Sequence, residues 1–271
     1  MSAGSYMRTI FAAALLAFAM APALTVSAAA QALAGYGIVL LHGKGGQPGG
    51  NIASLATALE AEGAAVVMPK MAWAGSQGRP EKYDVPYEQA FTPIKAAVDQ
   101  LKARASKVLV AGQSLGANAA IGYAARHGAG LAGVIALAAG HTPERAGFRD
   151  RFASEVVRAK QLVASGRGGA LETFADTNQG NAFQVRATPS AYLTFFDPNG
   201  PAVIPRNAKA MPSLPLLWVI GRRDRLAQAG RAYAFDLAPK HAKSRYLEID
   251  ADHFGTPTAA RREVIAWLKT L

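Results

Sequence analysis

The stretch KVLVAGQSLGANAAIGYAARHG, residues 107–128, gives the strongest indication of the fold. Its first five residues form an apolar run typical of a buried strand, and its alanine-rich second half is typical of a helix. Between them, residues 112–116 fit the pattern G-x-S-x-G, which places a serine on the turn from strand to helix. Side chains at either flank of this strained turn would collide with it. We therefore predict Ser114 as a nucleophile on a turn that depends on Gly112 and Gly116.

Outward from this turn, short apolar runs alternate with helical stretches. Strand-like runs occur at residues 38–41, 64–68, 107–111, 133–138, 216–220 and 245–249. Helical stretches occur at residues 51–62, 87–104, 115–127, 228–237 and 258–271. This alternation, with right-handed crossovers, predicts a doubly wound α/β fold of about six mostly parallel strands with helices on both faces. Active sites of such sheets lie at the carboxyl ends of the strands.

One connection is far longer than an ordinary crossover, and it lies between the fourth and fifth strand-like runs. Its first part, residues 145–171, looks helical, and its second part is rich in Asn, Gly and Pro. Aromatic residues are spread through the second part, at Phe174, Phe183, Tyr192, Phe195 and Phe196. We predict that residues 142–213 form a cap or lid. The alternative is an irregular surface decoration.

The serine turn and the elements around it resemble the α/β-hydrolase superfamily, in particular its serine hydrolases and esterases. In that family an acid follows a late strand and a histidine follows the last strand. Here the strand LPLLWVIG leads through RRD to Asp224, and the strand RYLEID leads through AD to His253. The resemblance therefore implies Asp224 as the acid and His253 as the base. Asp197, Asp250 and Asp252 are the rivals for the acid.

These residue types have complementary chemistry. A serine hydroxyl is a poor nucleophile at neutral pH and needs a histidine within hydrogen-bond reach to take its proton. His253 would take that proton from Ser114 and return it to the leaving group. Asp224 would hold the histidine in the correct tautomer and stabilise its charged form.

The glycine-rich stretch VLLHGKGGQPGG, residues 39–50, invites two interpretations. A phosphate-binding loop needs G-x-x-x-x-G-K-[ST], but Ile38 stands where its first glycine would lie, and Lys44 is followed by Gly45. The resemblance implies instead half of an oxyanion hole, formed by the backbone N–H of Lys44, or of Gly45, together with that of Leu115. The lysine side chain is expected to be incidental or to meet an anionic substrate.

Three further residues are candidates for the pocket around these groups. His42 ends the first strand and is expected to fix the glycine-rich loop. Gln113 precedes the nucleophile, and His141 follows a strand where the cap begins.

Residues 1–32 differ from the rest of the sequence. Arg8 is their only charge, an apolar block follows at residues 10–20, and small residues precede an Ala-x-Ala site near Ala30 and Ala32. This order predicts a cleavable signal peptide, because the apolar block is shorter than the roughly 20 residues that span a bilayer. We expect a periplasmic or secreted protein, with residues 33–271 as a minimal hydrolase domain.

The amino-acid composition limits the classes of binding partner and of cofactor site that are compatible with the sequence. The chain has 29 Lys and Arg against 18 Asp and Glu, a formal net charge of +11. These charges are scattered without an aromatic-interleaved stripe, so we expect loose attraction to anionic envelope surfaces and no specific nucleic acid. The chain has no cysteine, which excludes disulfides, thiolate metal sites and a cysteine nucleophile. No motif requires a metal or another cofactor.

The sequence therefore predicts an exported serine hydrolase that acts through an acyl-enzyme on Ser114. Carboxylic esters, either small molecules or lipid-like ones, are the expected substrates, as in the carboxylesterases of class EC 3.1.1. An amidase or an acyltransferase could use the same three residues. From another class, a non-catalytic envelope binding protein could retain the fold without the activity.

Overall fold

The computed structural model describes Met1 and residues 32–271. The predicted signal peptide therefore lies, apart from its two end residues, outside the described residues. Within the described part, no helix combines the length and the apolar character needed to cross a membrane.

The described chain alternates strands and helices. In chain order the elements are β1 (Tyr36–Leu41), α1 (Ala53–Ala61), β2 (Ala65–Val67), β3 (Gly75–Ser76), β4 (Arg79–Pro80), β5 (Lys82–Tyr83), α2 (Thr92–Lys102), β6 (Lys107–Gln113), α3 (Leu115–His127), β7 (Gly133–Leu137), α4 (Ala146–Ala164), β8 (Glu172–Asn178), β9 (Asn181–Ala187), α5 (Pro189–Phe196), α6 (Ile204–Ala210), β10 (Leu216–Gly221), β11 (Arg245–Ile249), α7 (Thr256–Ala259) and α8 (Arg261–Leu268). Several short 3-10 turns connect them.

Six strands form one parallel sheet in the order β2-β1-β6-β7-β10-β11. The predicted six-stranded α/β fold is thereby confirmed. The strands read as continuous apolar runs because both faces of the sheet are covered. Successive residues of β1 show this: Val39 packs into the core that contains α2 and α3, whereas Ile38 packs into the core that contains α1 and α8. Full burial of such a side chain contributes about 1.5–3 kcal/mol.

The long connection between β7 and β10, residues 142–213, is called the insertion below. It contains α4, which was predicted, but its second part forms a β8–β9 hairpin followed by α5 and α6. No strand or helix was predicted in that second part. Phe174, Tyr192 and Phe196 stack in a column with ring centroids 4.3 and 4.0 Å apart. All three are fully buried in the same core as the sheet, so the insertion is integral to the folded domain.

Two other regions differ from the expectation. The helix predicted over residues 228–237 is instead a series of 3-10 turns. Gly230 interrupts it with a φ of 62°, which is incompatible with a continuous helix. The segment between β2 and α2 also contains three short strands that the sequence analysis did not predict, and β5 pairs with β9 of the insertion.

Candidate active site

The turn between β6 and α3 carries Ser114 in a strained conformation. Its φ of 58° and ψ of −119° lie outside the regions that a serine ordinarily adopts. The flanking glycines make this possible. A Cβ on Gly112 would lie 2.3 Å from the carbonyl of Gly116, and a Cβ on Gly116 would lie 2.5 Å from the carbonyl oxygen of Leu41. The backbone around Ser114 is thus packed too closely for any side chain at these two positions.

Three side chains from different loops form one hydrogen-bonded chain at the carboxyl edge of the sheet. The Oγ of Ser114 lies 2.9 Å from Nε2 of His253, and Nδ1 of His253 lies 2.6 Å from Oδ2 of Asp224. With the proton on Nδ1, the ring donates to Asp224 and accepts from the serine hydroxyl. All three residues are buried. The structure therefore brings the three predicted catalytic residues together.

Local hydrogen bonds fix the acid and the base. The carboxylate of Asp224 also accepts the N–H of Leu226 at 2.9 Å, through its other oxygen. The side-chain amide of Gln113 donates to the carbonyl of His253 at 3.3 Å, which ties the histidine loop to the residue preceding the nucleophile. Gln113, a candidate pocket residue, thus supports the base and also faces the cleft beside Ser114.

The rival carboxylates are engaged elsewhere. Asp197 pairs with Lys160 at 2.7 Å. Asp250 pairs with Arg223 at the surface. Asp252 accepts the backbone N–H of Gly255 at 2.7 Å and helps to start the last helical segment. Of these candidates, only Asp224 hydrogen-bonds to His253 among the described residues.

The glycine-rich loop after β1 lies against the nucleophile. A Cβ on Gly43 would come within 3.1 Å of the Cβ of Ser114. The N–H of Gly45 donates to the carbonyl of Trp73 at 2.9 Å and is therefore not free to bind an oxyanion. Within the described residues, the N–H groups of Lys44 and Leu115 make no hydrogen bond. Of the expected oxyanion donors, these two are the ones left free.

His42 holds this loop in place. Its Nδ1 lies 2.9 Å from the carbonyl oxygen of Gly43, and its Nε2 accepts the N–H of Met71 at 3.1 Å. Trp73 donates its indole N–H to the carbonyl of His42 at 3.0 Å. Burial lowers the pKa of His42, although the hydrogen bond to Gly43 opposes this. With both ring nitrogens occupied, His42 positions the loop, and no nitrogen is left over for proton transfer.

The Lys44 side chain was predicted to be incidental or to contact an anionic substrate, and the structure contradicts this prediction. Its ammonium group is buried and lies 2.6 Å from Asp176 on β8, and it also donates to the carbonyl of Thr177 at 3.0 Å. The second oxygen of Asp176 accepts the hydroxyl of Tyr83 at 3.1 Å. Burial lowers the pKa of Lys44, and the neighbouring Asp176 carboxylate opposes that shift. Lys44 therefore ties the glycine-rich loop to the insertion.

Two clefts meet at Ser114, one on either side of the Lys44–Asp176 ion pair. The first, of about 770 Å³, is lined mainly by the glycine-rich loop, by residues 75–79 and by Phe183 and Phe254. The second, of about 380 Å³, lies between the start of α4, the β8–β9 turn and the loop after β10. The insertion thus contributes walls to both clefts.

His141 lies on the wall of the second cleft. It is buried, and its Nε2 lies 2.8 Å from the carbonyl oxygen of Phe195. Burial lowers its pKa well below the ordinary value, and the nearby Lys44 ammonium lowers it further, so the ring is neutral. His141 does not contact Ser114 or Asp224 by a hydrogen bond within the described residues.

The sequence matches the alpha/beta hydrolase family over residues 38–267. The chain belongs to the alpha/beta hydrolase family. The match includes most of β1, the serine turn, the insertion and the loops that carry Asp224 and His253. No curated protein matches the chain in a sequence search.

Solved structures agree with this alpha/beta hydrolase assignment. The chain aligns with a structure of the metagenome-derived lipolytic enzymes LipS and LipT at a TM-score of 0.61 and 15% identity, over 88% of this chain and 95% of that one. A monoacylglycerol lipase from Paleococcus ferrophilus gives a TM-score of 0.61 at 20% identity, over 86% and 94%. A malate-bound esterase from Thermogutta terrifontis gives 0.57 at 17% identity, over 88% and 90%. At these identities the likeness shows the fold.

Sequence reasoning missed several residues around the site. Asp176 and Asn178 lie on the β8 strand that it did not predict, and Asn178 donates to the carbonyl of Gly78 at 2.9 Å across the first cleft. Gly140 is another, because a Cβ there would lie 3.0 Å from the Ser114 hydroxyl oxygen. One signal was available in the sequence: Phe174 and Asp176 occupy alternate, inward positions of a short strand.

Proposed function

We propose that the protein is a serine hydrolase of carboxylic esters that acts through an acyl-enzyme on Ser114. The observation that carries the proposal is the continuous hydrogen-bonded chain from Ser114 through His253 to Asp224, at 2.9 and 2.6 Å. A buried carboxylate, an oriented imidazole and a serine on a strained turn together form an activated nucleophile.

In the proposed reaction, the Ser114 oxygen attacks the ester carbonyl carbon while His253 takes the hydroxyl proton. The backbone N–H groups of Lys44 and Leu115 stabilise the resulting oxyanion. Collapse of this intermediate breaks the bond to the alcohol, which leaves with the proton from His253. Water then attacks the acyl group, His253 takes a proton from it, and release of the carboxylic acid restores the serine hydroxyl.

The proposal extends to the insertion and to the substrate. Because the insertion lines both clefts beside Ser114, we propose that residues 142–213 act as a cap that selects the substrate. The lipolytic enzymes and the esterase among the structural neighbours support an ester substrate, small or lipid-like, without specifying it.

Export is part of the proposal and is carried by the sequence of residues 1–32 alone. Cell fractionation with an N-terminal sequence of the mature protein tests it. A mature chain that starts near Ala32 in the periplasm or medium is expected, and an uncleaved cytoplasmic chain would contradict it.

Labelling by a fluorophosphonate probe tests the nucleophile. We expect the purified protein to be labelled and Ser114→Ala to lose the label, because an activated serine oxygen displaces fluoride from the probe's phosphorus and forms a phosphonate ester. Ser106→Ala, at an exposed serine that contacts Gly35, is the matched control and should keep the label. Label that survives in Ser114→Ala would refute the assignment. Amide analogues and acceptor alcohols in the same assay would separate ester hydrolysis from amidase and acyltransferase activity.

A further inference from the structure

The two clefts at Ser114 differ in charge. The first is lined largely by glycine backbone, amide side chains and two phenylalanines, and its cations are Lys44, which is paired with Asp176, and a single arginine, Arg79, which lies over the Phe183 ring at 5.6 Å. The second contains Arg145, Arg151 and Arg225, with Asp224 as its only carboxylate. We call this second space, bounded by the three arginines, His141, the start of α4 and the β8–β9 turn, the cationic cleft.

In the described part of the chain, the arginines of the cationic cleft have no direct carboxylate partner, although Arg145 lies over the Tyr233 ring at 5.5 Å and near Glu144. Within the described residues none of the three forms an ion pair or a side-chain hydrogen bond. Nη1 of Arg145 is buried without a hydrogen-bond acceptor. Arg225 reaches from the loop after β10 to the β8–β9 turn, where a Cβ on Gly180 would lie 2.9 Å from its Nη1. Their guanidinium donors are therefore available to a ligand.

Each nearby carboxylate already accepts a hydrogen bond. Asp224 is hydrogen-bonded to His253, and Asp176 is paired with Lys44. Glu144 accepts the hydroxyl of Tyr233 through Oε1, while its Oε2 is buried without a partner among the described residues. Burial raises the pKa of Glu144, and the hydrogen bond from Tyr233 and the nearby Arg145 oppose the shift. The charge facing the cleft is consequently positive.

The N-terminal end of α4 adds to the positive electrostatic potential of the cationic cleft. The helix has 19 residues, no acidic residue in its first turn and no side-chain cap at Arg145. Its first residues, including Gly147 and Phe148, line the cationic cleft. The N-terminal end of a helix carries a partial positive charge and free N–H groups, which favour an anion.

A buried polar atom without a partner lies on the same wall. His141 is 8% exposed, its Nε2 is engaged by the Phe195 carbonyl, and its Nδ1 has no hydrogen-bond partner within the described residues. Unpaired buried polar atoms are rare in folded proteins. Because Nε2 donates to the Phe195 carbonyl, Nδ1 of the neutral ring is a hydrogen-bond acceptor. A hydroxyl group of a ligand would supply its partner, whereas a carboxylate has no proton to donate. The attraction for an anion therefore comes from the arginines and not from His141.

We propose that the cationic cleft binds a carboxylate or phosphate group of the substrate while the ester carbonyl lies at Ser114. This inference rests on the proposed ester hydrolysis and specifies its substrate class: esters that carry an anionic group on the acyl or the alcohol side. Arginine suits this task because its fork of N–H donors matches two anionic oxygens at once.

Matched ester pairs test the proposal. Mono-p-nitrophenyl adipate and its methyl ester place a charge, or its neutral counterpart, on the acyl side. On the alcohol side, 4-acetoxybenzoate is compared with its methyl ester, and 4-acetoxyphenyl phosphate separates phosphate from carboxylate. We expect the protein to favour the anionic member of at least one pair in kcat/KM by about tenfold, since one hydrogen bond to a charged group supplies that factor.

Arginine variants then assign the preference. Arg151→Gln and Arg225→Gln, at exposed positions, should each reduce it by about two- to fivefold, and Arg145→Gln should reduce it further. Arg104→Gln removes the same charge at the opposite end of the sheet and should leave it unchanged. Comparing each variant with the unsubstituted protein on the same pair cancels differences in intrinsic ester reactivity.

Two outcomes would overturn the inference. One is the absence of any anionic preference in the unsubstituted protein, and the other is a preference that survives Arg151→Gln/Arg225→Gln. Both variants lie at exposed positions, so a folding failure at Arg145 does not obscure the result. Hydrolysis of the neutral esters that depends on Ser114 would leave the proposed function intact in either case, whereas Ser114-independent hydrolysis would refute that function instead.

Discussion

The His253–Asp224 pair and the Lys44–Asp176 pair are built alike. Each joins a basic and an acidic side chain at 2.6 Å. In each, the side chains are at most 5% exposed, and each connects a loop at the carboxyl edge of the sheet to another element. Geometry and burial alone do not distinguish them.

The two pairs differ in what the basic side chain contacts besides its carboxylate. The other ring nitrogen of His253 faces the Ser114 hydroxyl at 2.9 Å. The ammonium of Lys44 is enclosed instead by the Thr177 carbonyl and the rings of Phe148 and Phe196. A buried pair of a basic and an acidic side chain can take part in chemistry only where one member also contacts a reacting group. The Lys44 pair has no such contact, so its effect is on positioning and stability.

Removing the acid of the first pair should give the largest effect. Asp224→Asn is expected to lower kcat by about 10⁴-fold, because the amide favours the wrong histidine tautomer while leaving the geometry intact. Ester hydrolysis measured at saturating substrate, with the melting temperature as a check on folding, provides the test. Asp250→Asn, which alters a surface pair with Arg223, should retain activity. A loss of less than tenfold in Asp224→Asn would remove Asp224 from the mechanism.

Breaking the second pair should act on stability. Lys44→Met is expected to lower the free energy of unfolding by about 3–5 kcal/mol, because it leaves the Asp176 carboxylate buried without its countercharge. Urea denaturation measures this. Lys44→Met/Asp176→Leu should regain most of the loss, since apolar groups of similar size commonly replace a buried ion pair without penalty.

The surface pair Lys95–Asp99 supplies the control for this experiment. Both of its side chains are more than half exposed, so Lys95→Met should change the free energy of unfolding by less than about 1 kcal/mol. An equally small change in Lys44→Met would show that the two pairs contribute equally to the free energy of unfolding. The contact between Lys44 and the insertion would then be dispensable for stability.

The same contrast explains what the sequence could reveal. The sheet was predictable because strands covered on both faces appear as continuous apolar runs. Ser114 was predictable from its local motif, and Asp224 and His253 from the resemblance to the α/β-hydrolase superfamily, because each follows a strand of that sheet. Each residue could therefore be placed without knowing how the insertion folds.

The Lys44–Asp176 pair depends on the part that was not predicted. Its members are 132 residues apart, and a lone lysine or aspartate in a polar stretch is usually solvated. The β8 and β9 strands contain more polar residues than the sheet strands, and their inward positions alternate with exposed ones. Because that hairpin was not predicted, neither the Lys44–Asp176 ion pair nor the cationic cleft could be derived from the sequence.

The smallest expected effect concerns His141, a buried histidine outside the hydrogen-bonded chain of Ser114, His253 and Asp224. Burial lowers the pKa of His141 well below its ordinary 6.5, so below that pH the unfolded chain binds a proton that the folded protein does not. The free energy of unfolding should therefore fall by about 1.4 kcal/mol per pH unit below about pH 6.5 on account of this one residue. His141→Gln should reduce this slope, relative to the unsubstituted protein, in urea denaturation between about pH 7.5 and 5.5. Equal slopes in the variant and the unsubstituted protein would mean that His141 is protonated in the folded protein, and the neutral ring assigned to the cationic cleft would then be wrong.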